Sequence, residues 1–166
     1  SDLSQLNIDI NDLSKITIVG CGSAYYAGLV SKYWFEEYAK IPVEVDIGSE
    51  FRYRNHPLPD KGLAIFISQS GETIDTLYPL RLCKEKGQYI LSIVNSPEST
   101  IARESDSVIK TLAGPEIGVA STKAFTTQMV TLAVLALFIA RKRNHLSEKK
   151  EQELVSALLE LPEKIS

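Results

Sequence analysis

Residues 63–77 read LAIFISQSGETIDTL, an apolar run followed by a short polar turn and a second apolar pattern. The run 63–68 is short and rich in Ile and Phe, which is typical of a strand buried on both faces. From residue 73 to 86 the apolar side chains recur at helical spacing, and Gly87 is a typical residue for ending the helix. That stripe consists of Ile74, Leu77, Leu80 and Cys83. The stretch therefore predicts a strand, a tight turn and a helix, in which Pro79 should introduce a kink or a later start.

The same alternation of short β-branched runs and longer helical patterns extends in both directions along the chain. It predicts further strands at 15–19, 43–47, 89–94 and, more weakly, 107–110. The predicted helices are 24–38, which Pro42 should stop, the nearly all-apolar 121–141 and the amphipathic 147–161. These elements predict an α/β fold, a three-layer α/β/α sandwich with a five-stranded parallel sheet in the flavodoxin-like order 2-1-3-4-5. In that order the loops 20–24 and 68–73 meet at the switch point, where ligands bind.

Composition excludes several classes of protein. The 166 residues include 18 Lys and Arg against 21 Asp and Glu, a net charge of −3, so nucleic acid is not an expected partner. The longest apolar stretch, residues 129–140, is shorter than the roughly 20 residues of a membrane span, so a buried helix is expected and no membrane. Cys21 and Cys83 form no disulfide or metal-ligand pattern, which favours the cytoplasm. Residues 1–15 lack the pattern of a signal peptide, and a first residue other than Met suggests an excised piece.

The turn 68–73 has the composition of an anion site. Ser68, Ser70 and Thr73 can each donate a hydrogen bond, and Gly71 allows close approach of the backbone, at the start of a helix. Helix capping would explain one of these hydroxyl groups but does not require three. Because no triphosphate-binding loop with a lysine is present, the turn predicts binding of a monophosphate ester of a small polar molecule such as a sugar.

The turn 20–25, GCGSAY, begins like the dinucleotide fingerprint but has Tyr25 where its third glycine belongs. Asp46 ends the second strand, where an acid that binds ribose would lie, so a dinucleotide-binding domain remains an alternative. Cys21 is interpreted as a packing residue of the turn, and Ser23 as the more useful group for a ligand.

Other chemistries lack the groups that they need. His56 and His145 lie in polar surroundings without a metal-ligand spacing, so both are predicted at the surface and no metal site is expected. Residues 67–71 lack the leading glycine of a hydrolase nucleophile elbow. Glu50, Glu72 and Glu116 lie near the ligand side and could act as acid or base, although solvated or capping roles are more ordinary.

Five motifs together give the chain a resemblance to a known family. They are GCGS (20–23), SEFRYR (49–54), SQSGET (68–73), RESD (103–106) and EIGVASTKAFTTQ (116–128). With these motifs the chain closely resembles the glucosamine-6-phosphate synthases, the glutamine:fructose-6-phosphate amidotransferases, in the first of their two sugar isomerase (SIS) domains. The resemblance implies a SIS domain over 15–143, a lead-in over 1–14, and a helix or linker over 144–166 toward a second SIS domain.

The resemblance also implies a function. The family converts fructose 6-phosphate and glutamine to glucosamine 6-phosphate and glutamate for amino-sugar biosynthesis, without metal or organic cofactor. Its sugar-phosphate contacts map onto seven residues, and Gly22 and Gly71 would support the turns. The seven are Ser23, Ser68, Gln69, Ser70, Thr73, Val119 and Ser121. Ala24 departs from the family's C-G-T-S pattern, which removes one hydroxyl group from the first turn.

The family's ring-opening histidine, isomerising glutamate and Schiff-base lysine belong to the second SIS domain. The resemblance therefore implies no catalytic residue in this chain, which would be inactive alone and would act with a second SIS domain and a glutaminase domain, as a homodimer. A sugar-phosphate-sensing SIS module without catalytic activity is the alternative within the same fold.

Overall fold

The computed structural model describes residues 3, 6–115 and 122–165. Within them lies one parallel sheet in the order β2-β1-β3-β4-β5, which confirms the flavodoxin-like prediction. Its strands are β1 (Lys15–Gly20), β2 (Val43–Ile47), β3 (Gly62–Ser68), β4 (Tyr89–Val94) and β5 (Ser107–Lys110). β1 and β3 are adjacent in register, so that Gly20 lies beside Ile67 and the turns after both strands start at one edge.

Helices cover both faces of the sheet. They are α1 (Ser23–Trp34), continued by a π-helical turn (Phe35–Ala39), α2 (Gly48–Phe51), α3 (Ile74–Glu85), α4 (Thr100–Glu104), α5 (Lys123–Lys142), α6 (Glu148–Leu159) and α7 (Leu161–Ile165). Alternate residues of β3 enter different cores, because successive side chains of a strand point to opposite faces. Ile65 and Ile67 pack with α1 and α5, whereas Ala64 and Phe66 pack with α2, α3 and α4. The predicted three-layer sandwich is thus confirmed, with α2 and α4 as short helices that the apolar pattern does not indicate.

Helix α3 departs from its predicted apolar stripe. Leu80 and Cys83 are buried as predicted, but Ile74 is 60% exposed, and the buried side chain of the first turn is Thr76 instead. The helix also continues through Pro79. Proline cannot donate to the carbonyl four residues earlier, which leaves the Asp75 oxygen open on one side. Gly48 of α2 packs there so closely that a Cβ atom would lie 2.4 Å from that oxygen.

Helix α5 lies in the same layer as α1. It packs against α1 and the π-helical turn, and Leu132, Leu135 and Ile139 are fully buried, as predicted for a core helix. By length and composition alone it is also able to cross a membrane, which is a common property of core helices. After α5, the Arg143 guanidinium donates to the carbonyl oxygens of Ile10 (2.9 Å) and Ala39 (3.1 Å). This residue therefore ties the end of α5 to the segment that precedes β1.

Candidate functional site

A small polar cavity of about 170 Å³ lies where β1 and β3 end. The residues that line it are Cys21, Ser23, Ala24, Ile67, Ser68, Gln69, Ser70, Thr73, Thr76 and Gln128. The structure thus brings together five of the seven predicted ligand contacts, from both predicted turns. The other two, Val119 and Ser121, lie outside the described residues, as does Glu116.

Two helices begin at this cavity without a side-chain cap. α1 starts after Gly22, whose φ of 56° lies in the left-handed region, and α3 starts after Thr73. The first turns of α4 and α6, which do not line the cavity, are capped by Ser99 and Ser147, whereas α2 and α5 also begin without a side-chain cap. The first N–H groups of a helix need an acceptor and carry a partial positive charge. Their convergence in a cavity favours an anion as the ligand.

Hydroxyl groups organise the turn between β3 and α3. The Ser68 hydroxyl oxygen accepts a hydrogen bond from the Gly71 N–H at 3.0 Å and lies 3.1 Å from the Thr73 hydroxyl oxygen. The Ser70 hydroxyl oxygen accepts from the Glu72 N–H at 3.2 Å. The turn is therefore already closed around its own hydroxyl groups, with Ser68 buried and Ser70 exposed.

Helix α4 and the segment before it hold this turn from behind. The Glu72 carboxylate accepts from the Thr100 N–H at 2.7 Å, and this backbone hydrogen bond lowers the pKa of Glu72. The Gly71 carbonyl oxygen accepts from the Ile101 N–H at 3.0 Å. Glu72 therefore acts as a cap for α4, the more ordinary of the two roles considered for it, and positions the turn rather than facing the cavity.

The cavity is also lined by residues that the sequence did not indicate as ligand contacts. Cys21 is half-buried, and its sulfur lies 3.7 Å from the Thr76 hydroxyl oxygen. Thr76 and Gln128 are buried and come from opposite layers, α3 and α5. A polar residue on the apolar face of α5 is a signal that the sequence offers for Gln128, whereas nothing in the mixed sequence of α3 indicates Thr76, and only the fold shows that both residues line the same cavity.

The family of the chain follows from its comparison with known proteins. The family model described as "SIS domain" matches residues 9–138, most of the chain. The chain belongs to the SIS domain family. The match begins a few residues before β1 and includes both turns of the cavity.

Two relatives of this SIS domain carry the same name. The chain is 56% identical over 162 residues to the glutamine–fructose-6-phosphate aminotransferase (isomerizing) of Bradyrhizobium diazoefficiens, covering 98% of the chain and 27% of that protein. It is 58% identical over 157 residues to the protein of that name from Brucella abortus, and the match covers 95% of the chain and 26% of that protein. The chain therefore spans about a quarter of the length of these relatives.

A solved structure agrees with this assignment. The C-terminal domain of glucosamine-fructose-6-phosphate aminotransferase from Francisella tularensis superposes on this SIS domain with a TM-score of 0.86. It is 47% identical, and the match covers 90% of the chain and 42% of that structure.

The SIS domain buries the side chain of His56, contrary to its predicted surface position. Its side chain is 1% exposed and stacks on Phe51 with ring centroids 3.7 Å apart. The two nitrogens of the ring lie 3.4 Å from a Glu44 oxygen and 3.5 Å from an Asp46 oxygen. The prediction was wrong because turn residues around His56 indicate exposure locally, whereas the turn folds back onto α2. His145 is exposed as predicted.

The same cluster removes support for the dinucleotide alternative. The Asp46 carboxylate accepts hydrogen bonds from Arg54 and from the Ile47 N–H, and the residue is buried. It is therefore already paired where a ribose would need an acceptor. Glu44, Asp46 and His56 are close enough together to hold a metal ion, but Lys15 and Arg54 already form ion pairs with the two carboxylates.

Proposed function

We propose that this SIS domain binds the phosphate group of a sugar phosphate, fructose 6-phosphate or glucosamine 6-phosphate, in the cavity between β1 and β3. The observation that carries the proposal is the convergence of two helix starts without side-chain caps on a cavity lined by hydroxyl groups. A phosphate there accepts from free N–H groups of α1 and α3 and from the hydroxyl groups of Ser23, Ser70 and Thr73.

The size and charge of the cavity support a single phosphate. Its volume of about 170 Å³ is below the roughly 300–1,000 Å³ of typical ligand pockets, so it suits one end of a ligand. Among the described residues that line it, none is a lysine or an arginine. Neutral donors and helix dipoles suit one phosphate group better than the higher charge of a triphosphate.

We further propose that the chain supplies this binding step within a glutamine–fructose-6-phosphate aminotransferase. The shared name of relatives at 56–58% identity supports this role. Among the described residues that line the cavity, none is a histidine, a carboxylate or a lysine. Groups for proton transfer and for covalent attachment of the sugar would therefore come from a second SIS domain, and nitrogen from a glutaminase domain. The proposal includes a homodimer. It also includes a cytoplasmic location, because the two cysteines are free and free cysteines are typical of a reducing compartment.

An amide-resolved NMR titration of the 166-residue protein tests the site. Glucosamine 6-phosphate is added to labelled protein, with glucosamine and NAD as controls. We expect saturable shifts at Gly22, Ser68, Ser70 and Thr73 that require the phosphate group. A folded spectrum without saturable shifts, or shifts specific to NAD, would contradict the proposal.

The inactivity expected of the chain has a separate test. Fructose 6-phosphate is incubated with the purified protein, and glucose 6-phosphate is measured by a coupled dehydrogenase assay. We expect no conversion above a protein-free control. Conversion that follows the protein concentration would place acid and base groups in this chain.

A further inference from the structure

Gln128 occupies a core position of α5 although it is polar. It lies on the same face of the helix as Ala124, Leu132 and Leu135, all of which are buried, and only 2% of its own surface is exposed. An apolar side chain would pack at this position without loss of a hydrogen bond. The polar amide is therefore best explained by what it contacts, and Gln128 lines the cavity between β1 and β3.

The side-chain carbonyl oxygen of Gln128 has no hydrogen-bond partner among the residues that the structure describes. Leaving a buried polar atom unpaired destabilises the folded state, and such atoms are rare in native structures. Gln88 is a useful comparison, because it is also buried but its amide donates to the Pro59 carbonyl oxygen at 2.8 Å. The partner that Gln88 finds within the chain is missing for Gln128.

The chemistry of the amide specifies the missing partner. A carbonyl oxygen can only accept a hydrogen bond, and a fully ionised phosphate group has no hydrogen to give. A hydroxyl group of a sugar can donate to that oxygen, and a neighbouring oxygen can accept from the amide N–H. Deepening the proposed sugar-phosphate function, on which this inference rests, we propose that Gln128 binds a hydroxyl group of the sugar and so distinguishes a sugar phosphate from a bare phosphate.

The variant Gln128→Met tests this specificity, because methionine keeps the length of the side chain and removes both polar groups. Fructose 6-phosphate, inorganic phosphate and hexyl phosphate, which has no hydroxyl groups on its carbon chain, are titrated into wild type and variant. We expect about a tenfold loss of affinity for fructose 6-phosphate, the effect of one hydrogen bond. For the two ligands without sugar hydroxyl groups, we expect affinities within about twofold of wild type.

Thermal unfolding without ligand gives a second readout. The variant should melt at the same temperature as wild type or higher, because an unpaired buried group has been removed. Gln88→Met is the matched control: it should melt at a lower temperature and leave the relative affinities of the three ligands unchanged.

The outcomes separate this inference from the proposed function. If the wild type binds fructose 6-phosphate but Gln128→Met loses affinity equally for all three ligands, or for none of them, the role of Gln128 is overturned and the proposed phosphate site remains. A lower melting temperature with unchanged relative affinities would identify a structural role instead. Failure of the wild type to bind any of the phosphates would overturn the proposed function and this inference together.

Discussion

The hydroxyl oxygens of Ser68 and Thr73 lie 3.1 Å apart across the turn that joins β3 to α3. Thr73 occupies the N-cap position of α3, yet its side chain does not cap the helix. A threonine at this position commonly accepts from an N–H of the first turn, and here its hydroxyl is paired with Ser68 instead. The first turn of α3 thus remains open toward the cavity.

Replacing Thr73 tests this arrangement. Thr73→Val keeps the shape of the side chain and removes the hydroxyl, so we expect about a tenfold weaker affinity for glucosamine 6-phosphate. The free energy of unfolding should change by less than about 1 kcal/mol, because no helix cap is lost. NMR titration and urea unfolding measure the two quantities. Thr73→Ser retains the hydroxyl and should bind nearly as wild type, whereas wild-type affinity in Thr73→Val would show that this hydroxyl does not contact the ligand.

Gly71 should not tolerate a side chain. Its φ is 69°, and a Cβ atom would lie 1.9 Å from the Ser99 hydroxyl oxygen. We expect Gly71→Ala to lower the free energy of unfolding by about 3 kcal/mol or more, from backbone strain and overpacking together. Gly87→Ala is the matched control, because its φ is 75° and no atom lies within 4 Å of the added methyl, so it should lose only about 1–2 kcal/mol. Equal losses in urea unfolding would mean that the turn moves away from Ser99.

The two cysteines should react at very different rates. Cys21 lines the cavity, whereas burial raises the pKa of Cys83 to about 12. The thiolate is the reactive form of cysteine. We therefore expect a thiol reagent at neutral pH to modify Cys21 quickly and Cys83 at least about a hundredfold more slowly. Mass spectrometry of native and urea-unfolded protein identifies the sites. Saturating glucosamine 6-phosphate should slow modification of Cys21, and an unchanged rate in bound protein would argue against a ligand in this cavity.

Glu44 should contribute stability that depends on pH. Partial burial raises its pKa, but the hydrogen bond from Lys15 at 2.5 Å and the charges of Lys15 and His56 outweigh this effect and lower the pKa overall. A carboxyl group with a lowered pKa in the folded state stabilises the protein above its unfolded pKa of about 4.5, and that contribution is lost as the pH falls through the folded value. Glu44→Gln should therefore be about 1 kcal/mol less stable near pH 7, and the difference should shrink below pH 4.5.

Urea unfolding of wild type and variant between pH 3 and 7 measures this difference. Glu153→Gln is the control, because the Glu153 carboxylate is exposed and lies 3.4 Å from the exposed Lys150 ammonium, so it should have little effect at any of these pH values. A difference between wild type and Glu44→Gln that grew toward low pH would contradict the assigned direction of the pKa shift.

Local patterns predicted most of the elements because each reflects a periodicity within a few residues. The strands at 43–47 and 89–94 begin and end as predicted, since β-branched and apolar runs there are bounded by clear turns. Ile74 and His56 were placed wrongly for the same reason. Whether a residue at the edge of a helical stripe or within a turn is buried depends on elements distant in the sequence, here the packing around α3 and the fold-back onto α2.

Local sequence patterns were sufficient to predict the order of the strands and the two turns at the switch point, because hydrophobic periodicity and turn composition are local and parallel crossovers allow few topologies. Packing of the layers decided that Thr76 and Gln128, from α3 and α5, line the same cavity as these two turns. It also decided that Thr73 leaves the start of α3 open and that Glu72 turns away to cap α4. These hydrogen bonds depend on which partner lies closest in space, and the partners come together only when the layers pack.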